Sequence, residues 1–163
     1  MSSWGADARY TRLIEEHGMS LLRLAILLTG NRHDAEDAVQ DALLSVAAKW
    51  STVRSLAYLR RAVANASIDL VRKRREVVMA ETPDVGTVDV GLFRLDDDEQ
   101  FFARISALPP GQRETIVLRY HADLDDRTIA NMQGVTVETV RSQAKRALAK
   151  LRDSATKQSE VQA

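Results

Sequence analysis

The sequence predicts an all-α protein in which two small helical domains are joined by an acidic flexible linker, the second domain containing a helix-turn-helix. Three observations lead to this prediction. Apolar residues recur at three- and four-residue spacing over most of the chain, as they do on the buried side of a helix. Aromatic residues make up 5% of the chain and there are seven glycines, which favours helical packing over a sheet sandwich. The 163 residues, 45% of them hydrophobic, suffice for one ordinary core or two small ones.

The first half of the chain is predicted to form three helical regions. The first spans Ala6 to Leu28 and is followed by a Gly-Asn turn that ends it. The second spans Asp34 to Trp50, where apolar side chains recur with strong helical periodicity. The third begins at Leu56 and ends in the basic run of residues 72–75. We therefore expect one helical domain over residues 1–77.

The second half begins where the helical pattern of apolar residues ends. Residues 78–95 are predicted to be a linker, because the helical period disappears and prolines and glycines interrupt an acidic sequence. A new helix is expected to begin in the run Asp96–Glu99, since negative charge is favourable at a helix N-terminus. A Pro-Pro-Gly break precedes another helix over Gln112–His121. We place the second domain at residues 96–152 and expect a polar, frayed tail over residues 153–163.

The stretch from Asp125 to Leu151 has the pattern of a DNA-binding helix-turn-helix. Gly134 stands at the turn, where only glycine adopts positive φ cheaply, and Thr136 can cap the second helix. Such a basic helix in the major groove offers base-edge donors and phosphate-pairing cations together. An amphipathic hairpin with a solvated basic face is the alternative interpretation. The candidate DNA contacts on the second helix are Thr136, Glu138, Thr139, Arg141, Ser142, Lys145 and Arg146.

Charge is balanced over the whole chain, with 23 basic and 23 acidic residues, but it is distributed unevenly. Residues 1–77 hold 12 Lys and Arg against nine acids, and residues 101–152 hold nine against five. Residues 78–100 hold one arginine and seven acids. Two basic blocks separated by an acidic connector are compatible with nucleic-acid binding, which a net charge of zero would otherwise disfavour.

The residue types that catalysis and metal binding need are absent or scattered. The chain has no cysteine, so it can form neither a disulfide nor a thiolate metal site. Its three histidines are isolated on separate predicted helices, and no phosphate-cradling glycine loop or nucleophile motif occurs. We therefore predict that it is not an enzyme and that it uses no cofactor, metal or small-molecule substrate. Because neither a secretory signal nor a membrane-length apolar segment occurs, a cytoplasmic location without membrane attachment is expected.

Both halves of the chain resemble the extracytoplasmic-function sigma factors, the small two-domain specificity subunits of bacterial RNA polymerase. Residues 34–50 are similar to the family's polymerase-binding helix, and residues 58–75 to its promoter-melting helix. Residues 107–120, running into the helix-turn-helix, are similar to its second conserved domain. Two positions depart from the family pattern. Tyr58 replaces a frequent tryptophan, and Gln133 replaces a large apolar residue, which we expect to loosen the first helix of the helix-turn-helix.

The resemblance assigns a partner to the second predicted helix. It implies that one face of this helix docks on a basic coiled coil of the polymerase's largest subunit. Acids around one exposed apolar side chain suit such a partner, because charge steers the encounter and burial of the apolar group supplies affinity. A solvated helix face is the alternative interpretation. The residues assigned to polymerase binding are Asp37, Gln40, Asp41 and Leu44.

The third predicted helix and the loop before it are assigned to the minus-10 promoter element. Cations at this density can follow phosphates, and Asn65 could hydrogen-bond a base edge. By resemblance, the loop would hold a base flipped out of the melted strand. The basic run at residues 72–75 could instead be a solubilising helix end, and we interpret Trp50 and Tyr58 as structural. The assigned residues are Ser51, Thr52, Arg54, Ser55, Arg60, Arg61, Asn65, Arg72 and Lys73.

These expectations lead to one main functional hypothesis and two alternatives. The main hypothesis is a sigma factor that directs core RNA polymerase to promoter DNA, reading the minus-35 element with the helix-turn-helix. The family also implies an anti-sigma factor as a regulatory partner. An autonomous helix-turn-helix transcriptional regulator is the first alternative. A helical protein-interaction module whose basic faces merely solvate it is the second.

Overall fold

The computed structural model describes residues 8–50, 55–78 and 98–161, and the predicted linker lies almost entirely outside these ranges. The described residues form seven helices and no strand, which confirms the all-α fold class. The chain divides into two compact units, residues 1–86 and 87–163. Unit 1 contains α1 (Ala8–Thr29), α2 (Arg32–Ala47) and α3 (Leu56–Val78), and unit 2 contains α4 (Asp98–Ser106), α5 (Pro110–Tyr120), α6 (Asp126–Gln133) and α7 (Val137–Val161).

The three helices of unit 1 pack on one another around a common core. Each helix turns inward the apolar side that its three- and four-residue spacing predicted. The buried side of α2 consists mainly of alanine, so most of the core volume comes from the larger side chains of α1 and α3. The buried residues include Leu21, Leu24 and Leu27 of α1, Ala35, Ala38, Ala42 and Val46 of α2, and Leu59, Val63 and Ile68 of α3.

An aromatic pair joins the start of α1 to the segment after α2. The rings of Tyr10 and Trp50 lie 4.8 Å apart between centroids, and both side chains are buried. The Tyr10 hydroxyl donates a 2.6 Å hydrogen bond to the carbonyl of Leu43. Burial also raises the pKa of this hydroxyl above its usual value of 10.0. Trp50 is therefore a core residue, as predicted.

Unit 2 is built around its longest helix. The helices α5 and α6 pack against α7, and α4 contributes Phe102 and Ile105 to the core. The buried side of α7 consists of Val140, Ala144 and Ala147, at the three- and four-residue steps read from the sequence. The rest of the core comes mainly from residues 116–118 of α5 and Ile129 of α6.

The helix boundaries differ from the predicted ones mainly at the chain's last segment. Residues 153–161 continue α7 instead of forming the frayed tail that their polarity suggested. The hydroxyls of Ser154, Thr156 and Ser159 donate to backbone carbonyls three or four residues earlier, at 3.0 to 3.1 Å. These local bonds satisfy the polar side chains within the helix. In unit 1, α2 stops at Ala47, three residues short of the predicted end at Trp50.

Candidate nucleic-acid interface

The turn between α6 and α7 has the geometry that the sequence predicted. Gly134 lies in the left-handed region, with φ of 68° and ψ of 34°, and its N–H donates to the carbonyl of Ala130. The side chain of Thr136 then caps α7, because its Oγ1 accepts a 3.1 Å hydrogen bond from the backbone N–H of Thr139. Helix α6, turn and α7 thus form the predicted helix-turn-helix.

The predicted minus-35 residues share the outward surface of α7. Their neighbours on the opposite side, Val140 and Ala144, are buried in the unit 2 core, which fixes the direction in which the polar side chains point. Thr139 is partly exposed and the remaining six are exposed: Thr136, Glu138, Arg141, Ser142, Lys145 and Arg146. The structure therefore brings this set together on one accessible surface.

One of these side chains has a partner that the sequence analysis missed. The carboxylate of Asp126, the first residue of α6, accepts hydrogen bonds from Arg119 at 2.7 and 2.8 Å. It also accepts a 3.4 Å hydrogen bond from Nε of Arg141. The two pairs span 7 and 15 residues, and no helical i,i+4 spacing signals either of them.

A small polar cluster holds α5, α6 and α7 together. The Thr115 hydroxyl, which is fully buried, lies 2.7 Å from Gln143 Oε1, and Gln133 Nε2 donates to it at 3.0 Å. A side chain at Gly111 would come within 2.9 Å of the Gln143 amide, so glycine leaves room for this cluster. Gln133 does not end α6, which extends through it, and its amide is hydrogen-bonded across the domain to Thr115.

In unit 1, a groove of about 640 Å³ lies between α2 and α3. It is lined by two acids, Asp41 and Asp69, by the cations Arg61 and Lys73, and by Asn65. Tyr58 also lines this groove and remains 38% exposed. Tyr58, which we interpreted as structural, is therefore not buried in the core but is one of the residues that line the groove.

The four residues assigned to polymerase binding all lie on exposed positions of α2. Leu44 is 63% exposed although it is a large apolar side chain. Asp37 pairs with His33 on the same helix at 3.6 Å, and both remain mostly solvent-exposed. Gln40 is exposed, and Asp41 belongs to both this face and the groove. The structure thus places an exposed leucine among acids.

The remaining minus-10 candidates are divided by the structure. Ser51, Thr52 and Arg54 lie outside the described residues. Ser55 accepts a 3.4 Å hydrogen bond from the backbone of Tyr58 at the start of α3. Arg60 is partly buried, whereas Arg61, Asn65, Arg72 and Lys73 are exposed along α3.

The described residues contain neither a cluster of metal ligands nor a membrane-spanning helix. No three His, Asp or Glu side chains within these ranges are arranged so that they could hold a metal ion. None of the helices there combines the length and apolarity needed to cross a membrane. Several charged side chains in these ranges form ion pairs with a neighbour on the same helix, such as Arg12 with Glu16 and Arg32 with Glu36.

Two family models match the chain, one in each unit. Residues 13–77 match Sigma-70 region 2, and residues 104–153 match Sigma-70 region 4. The first match includes α2, α3 and the groove between them. The second includes the helix-turn-helix.

Sequence relatives and solved structures both agree with these matches. The sigma factor SigE of Mycolicibacterium smegmatis is 31% identical, covering 98% of this chain, which spans 64% of that protein's length. The RNA polymerase sigma-E factor of Streptomyces avermitilis is 32% identical over 82% of this chain and 78% of its own.

Among solved structures, the sigma factor RpoE of Bartonella quintana, in complex with the anti-sigma factor NepR, matches with a TM-score of 0.57 and 25% identity. That match covers 85% of this chain and 93% of the other. CnrH, solved with the cytosolic domain of CnrY, has a TM-score of 0.54 at 24% identity and shares the fold. The chain belongs to the extracytoplasmic-function family of RNA polymerase sigma factors.

Proposed function

We propose that this protein binds core RNA polymerase through unit 1 and directs it to promoters whose minus-10 and minus-35 elements are read by units 1 and 2, respectively. The observation that carries the proposal is the exposed Leu44 among acidic residues on α2, on the same unit as a groove that is lined by charged side chains of both signs, by Asn65 and by Tyr58. A regulator that binds DNA alone would need the helix-turn-helix but neither of these surfaces. The Sigma-70 region 2 match further favours the sigma-factor role over that alternative.

The polymerase-docking face would work by combining steering with burial. Asp37 and Asp41 give this part of α2 a negative charge that attracts a basic partner over a distance. Leu44, 63% exposed in the free protein, then supplies apolar surface that contact with the polymerase would remove from water. In this proposal Gln40, which lies between Asp37 and Asp41 in the sequence, hydrogen-bonds to the polymerase.

The minus-10 element would be held by the groove between α2 and α3. Arg61 and Lys73 can pair with phosphates, while Asn65 can hydrogen-bond a base edge exposed by strand separation. An unstacked base can stack on the exposed ring of Tyr58, and such stacking favours the open duplex. Arg72, exposed near the end of α3, would extend the phosphate track beyond the groove.

The minus-35 element would be read by the outward surface of α7. Residues near the N-terminal end of such a helix reach base edges, so Glu138 and Arg141 are the candidates for sequence recognition. Lys145 and Arg146 follow later on the helix and would hold phosphates.

In this role the protein would act in the cytoplasm as a regulatory subunit and not as a catalyst. An anti-sigma factor would control access to the surfaces that bind polymerase and DNA.

A matched pair of exposed apolar residues in unit 1 tests the docking step. Leu44 on α2 and Met19 on α1 are 63% and 61% exposed, so replacing either by aspartate adds one charge at a similarly accessible position. We expect Leu44→Asp to weaken binding to core polymerase by about tenfold or more, because it places a charge in the buried contact. Met19→Asp should stay within about threefold of the unsubstituted protein.

The measurement is a fluorescence titration of labelled full-length protein with core polymerase. Circular dichroism of both variants checks that the helices are retained. Equal affinities for Leu44→Asp and Met19→Asp would remove Leu44 from the docking face. If the unsubstituted protein does not bind core polymerase at all, the proposed function itself is wrong.

A further inference from the structure

Asp126 lies between two arginines that come from different helices of unit 2. Arg119 belongs to the end of α5 and Arg141 to the second turn of α7, while Asp126 begins α6. One Nη atom of Arg119 donates to both carboxylate oxygens, at 2.7 and 2.8 Å. Nε of Arg141 donates to one of the same oxygens at 3.4 Å. A single carboxylate thus connects α5 with α6 and α7, the two helices of the helix-turn-helix.

The two arginines are held with different strengths. Asp126 and Arg119 are both largely buried, and their bonds are short, so this pair fixes the position of the carboxylate. Arg141 is 68% exposed and its bond is longer, so it is the adjustable member. This partly buried pair therefore fixes the carboxylate to which the exposed guanidinium of Arg141 donates.

The bond to Asp126 uses the part of Arg141 that base recognition does not need. Within the described part of the chain, Arg141 donates its hydrogen bond through Nε, which leaves the four Nη protons for a ligand. A guanidinium contacts O6 and N7 of guanine through two parallel donors, and this bidentate contact depends on orientation. Holding Nε limits rotation of the side chain before DNA arrives, so less conformational freedom is lost on binding.

The same carboxylate disfavours the competing contact with a phosphate. A phosphate oxygen beside Arg141 would come close to the negative charge of Asp126, whereas a guanine edge carries no full charge. Specificity is the difference between the affinities for the right and the wrong contact. A group that weakens the wrong contact therefore increases specificity. The asymmetry between a neutral base edge and an anionic phosphate gives Asp126 a role beyond stabilising the fold.

We propose that Asp126 is a positioning residue for promoter recognition: it orients the Arg141 guanidinium toward a base edge and keeps it from pairing with the DNA backbone. The inference rests on the proposed function, in which α7 reads the minus-35 element. The feature recognised is a G·C base pair, because its guanine presents two adjacent acceptors, O6 and N7, in the major groove.

The test uses holoenzyme reconstituted from core polymerase and the full-length protein. Promoters are first selected from a random duplex library with this holoenzyme, and affinities are then measured on single-base variants of the minus-35 element at two salt concentrations. The variants are Asp126→Asn, Asp126→Glu, Arg141→Ala, the double variant Asp126→Asn with Arg141→Ala, and Asp153→Asn. The last removes the same charge at an exposed position on α7 and serves as the matched control.

Asp126→Asn is expected to reduce discrimination about tenfold at one base pair, the one that Arg141→Ala also affects. It should also make the salt dependence steeper, by up to about one phosphate contact, because Arg141 is released to pair with the backbone. Asp126→Glu retains the charge and should retain most of the discrimination. Asp153→Asn should change neither quantity, and Asp126→Asn should lose its effect on discrimination in the Arg141→Ala background.

Three patterns would overturn the inference, and they are distinguishable. If Arg141→Ala relaxes one base pair but Asp126→Asn does not, Arg141 reads that base without help from Asp126. If Asp126→Asn lowers affinity for every promoter variant equally, and still does so in the Arg141→Ala background, its role is structural. If Arg141→Ala itself leaves the selectivity profile unchanged, base reading by Arg141 fails, and the positioning role fails with it.

Discussion

Arg74 at the end of α3 donates a hydrogen bond to the carboxylate of Asp34, which lies at the start of α2 and is only 2% exposed. The second oxygen of Asp34 accepts from the Asn31 amide at 2.6 Å, while Asn31 in turn accepts from the Asp34 backbone at 2.8 Å. The start of α2 is thus capped and tied to α3 by one buried acid. Arg74 is therefore a structural member of the basic run of residues 72–75.

Removing Arg74 should destabilise unit 1, because the buried carboxyl group of Asp34 would have one hydrogen-bonding partner fewer. We expect Arg74→Ala to lower the free energy of unfolding by about 1–2 kcal/mol, and Arg75→Ala, the neighbouring control, by less than about 0.5 kcal/mol. Urea unfolding followed by tryptophan fluorescence checks this, since Trp50 is buried in unit 1 and reports on its unfolding. Equal unfolding midpoints for the two variants would contradict a structural role for Arg74.

The buried hydroxyl of Tyr10 predicts a pH effect with a defined sign. Its pKa is raised by burial, so above pH 10 the unfolded chain releases this proton before the folded one does. The contribution to stability is therefore fully present below that pH and is lost as the pH rises through the folded-state pKa. Tyr10→Phe, which lacks the proton and the bond to Leu43, should be less stable than the unsubstituted protein by about 1 kcal/mol at pH 8.

The stability difference between the two proteins should then narrow between pH 8 and pH 11. Urea midpoints measured for both proteins at the two pH values give this difference directly, and effects common to both proteins cancel. A difference that stays constant or widens would show that Tyr10 does not titrate with a raised pKa.

Asn65 should matter most when the promoter has to be opened. Because it lines the α2–α3 groove, Asn65→Ala is expected to impair transcription from fully paired promoters, by about tenfold if one good base contact is lost. Templates already unpaired at the minus-10 element should be affected less if the contact assists opening. Glu76→Ala, another exposed polar position on α3, is the control and should behave like the unsubstituted protein on both templates.

Comparing abortive transcripts from paired and pre-opened templates measures this difference. If Asn65→Ala matches the control on both templates, Asn65 has a local structural role at the surface of α3. If it lowers transcription equally on both, it contributes to binding and not to strand separation.

Lys145 should contribute to affinity without contributing to sequence preference. A contact with one phosphate releases about one counterion, so Lys145→Ala should reduce the slope of log affinity against log salt by about 0.9. Lys157→Ala removes the same charge from an exposed position further along α7 and serves as the control. Holoenzyme binding to promoter variants at several salt concentrations tests both variants. A loss of selectivity at one base pair in Lys145→Ala would show that this lysine reads a base.

Helical periodicity was sufficient to predict the fold class and most of the helices. The inward side of α7 follows from the spacing of Val140, Ala144 and Ala147, and once that side is fixed the polar residues must face outward. The turn at Gly134 was equally predictable, because its positive φ is a local property that glycine satisfies.

The contacts between helices could not be predicted in the same way. Asp34 with Arg74 and Asp126 with Arg141 are separated by 40 and 15 residues, so their pairing depends on how whole helices pack. Gln133 illustrates the same limit. Read alone, a glutamine at an apolar position suggested a weakened helix, whereas in three dimensions it meets Thr115, 18 residues away, and hydrogen-bonds to it.

The central claim, that this protein gives RNA polymerase its promoter specificity, is tested most directly by transcription from a genomic DNA library. Core polymerase is supplied with and without the full-length protein, and the 5′ ends of the transcripts are sequenced. We predict new start sites that appear only with the protein and share two sequence elements at fixed spacing, near positions minus 10 and minus 35. Identical start sites with and without the protein, from a core enzyme active with another sigma factor, would contradict the claim.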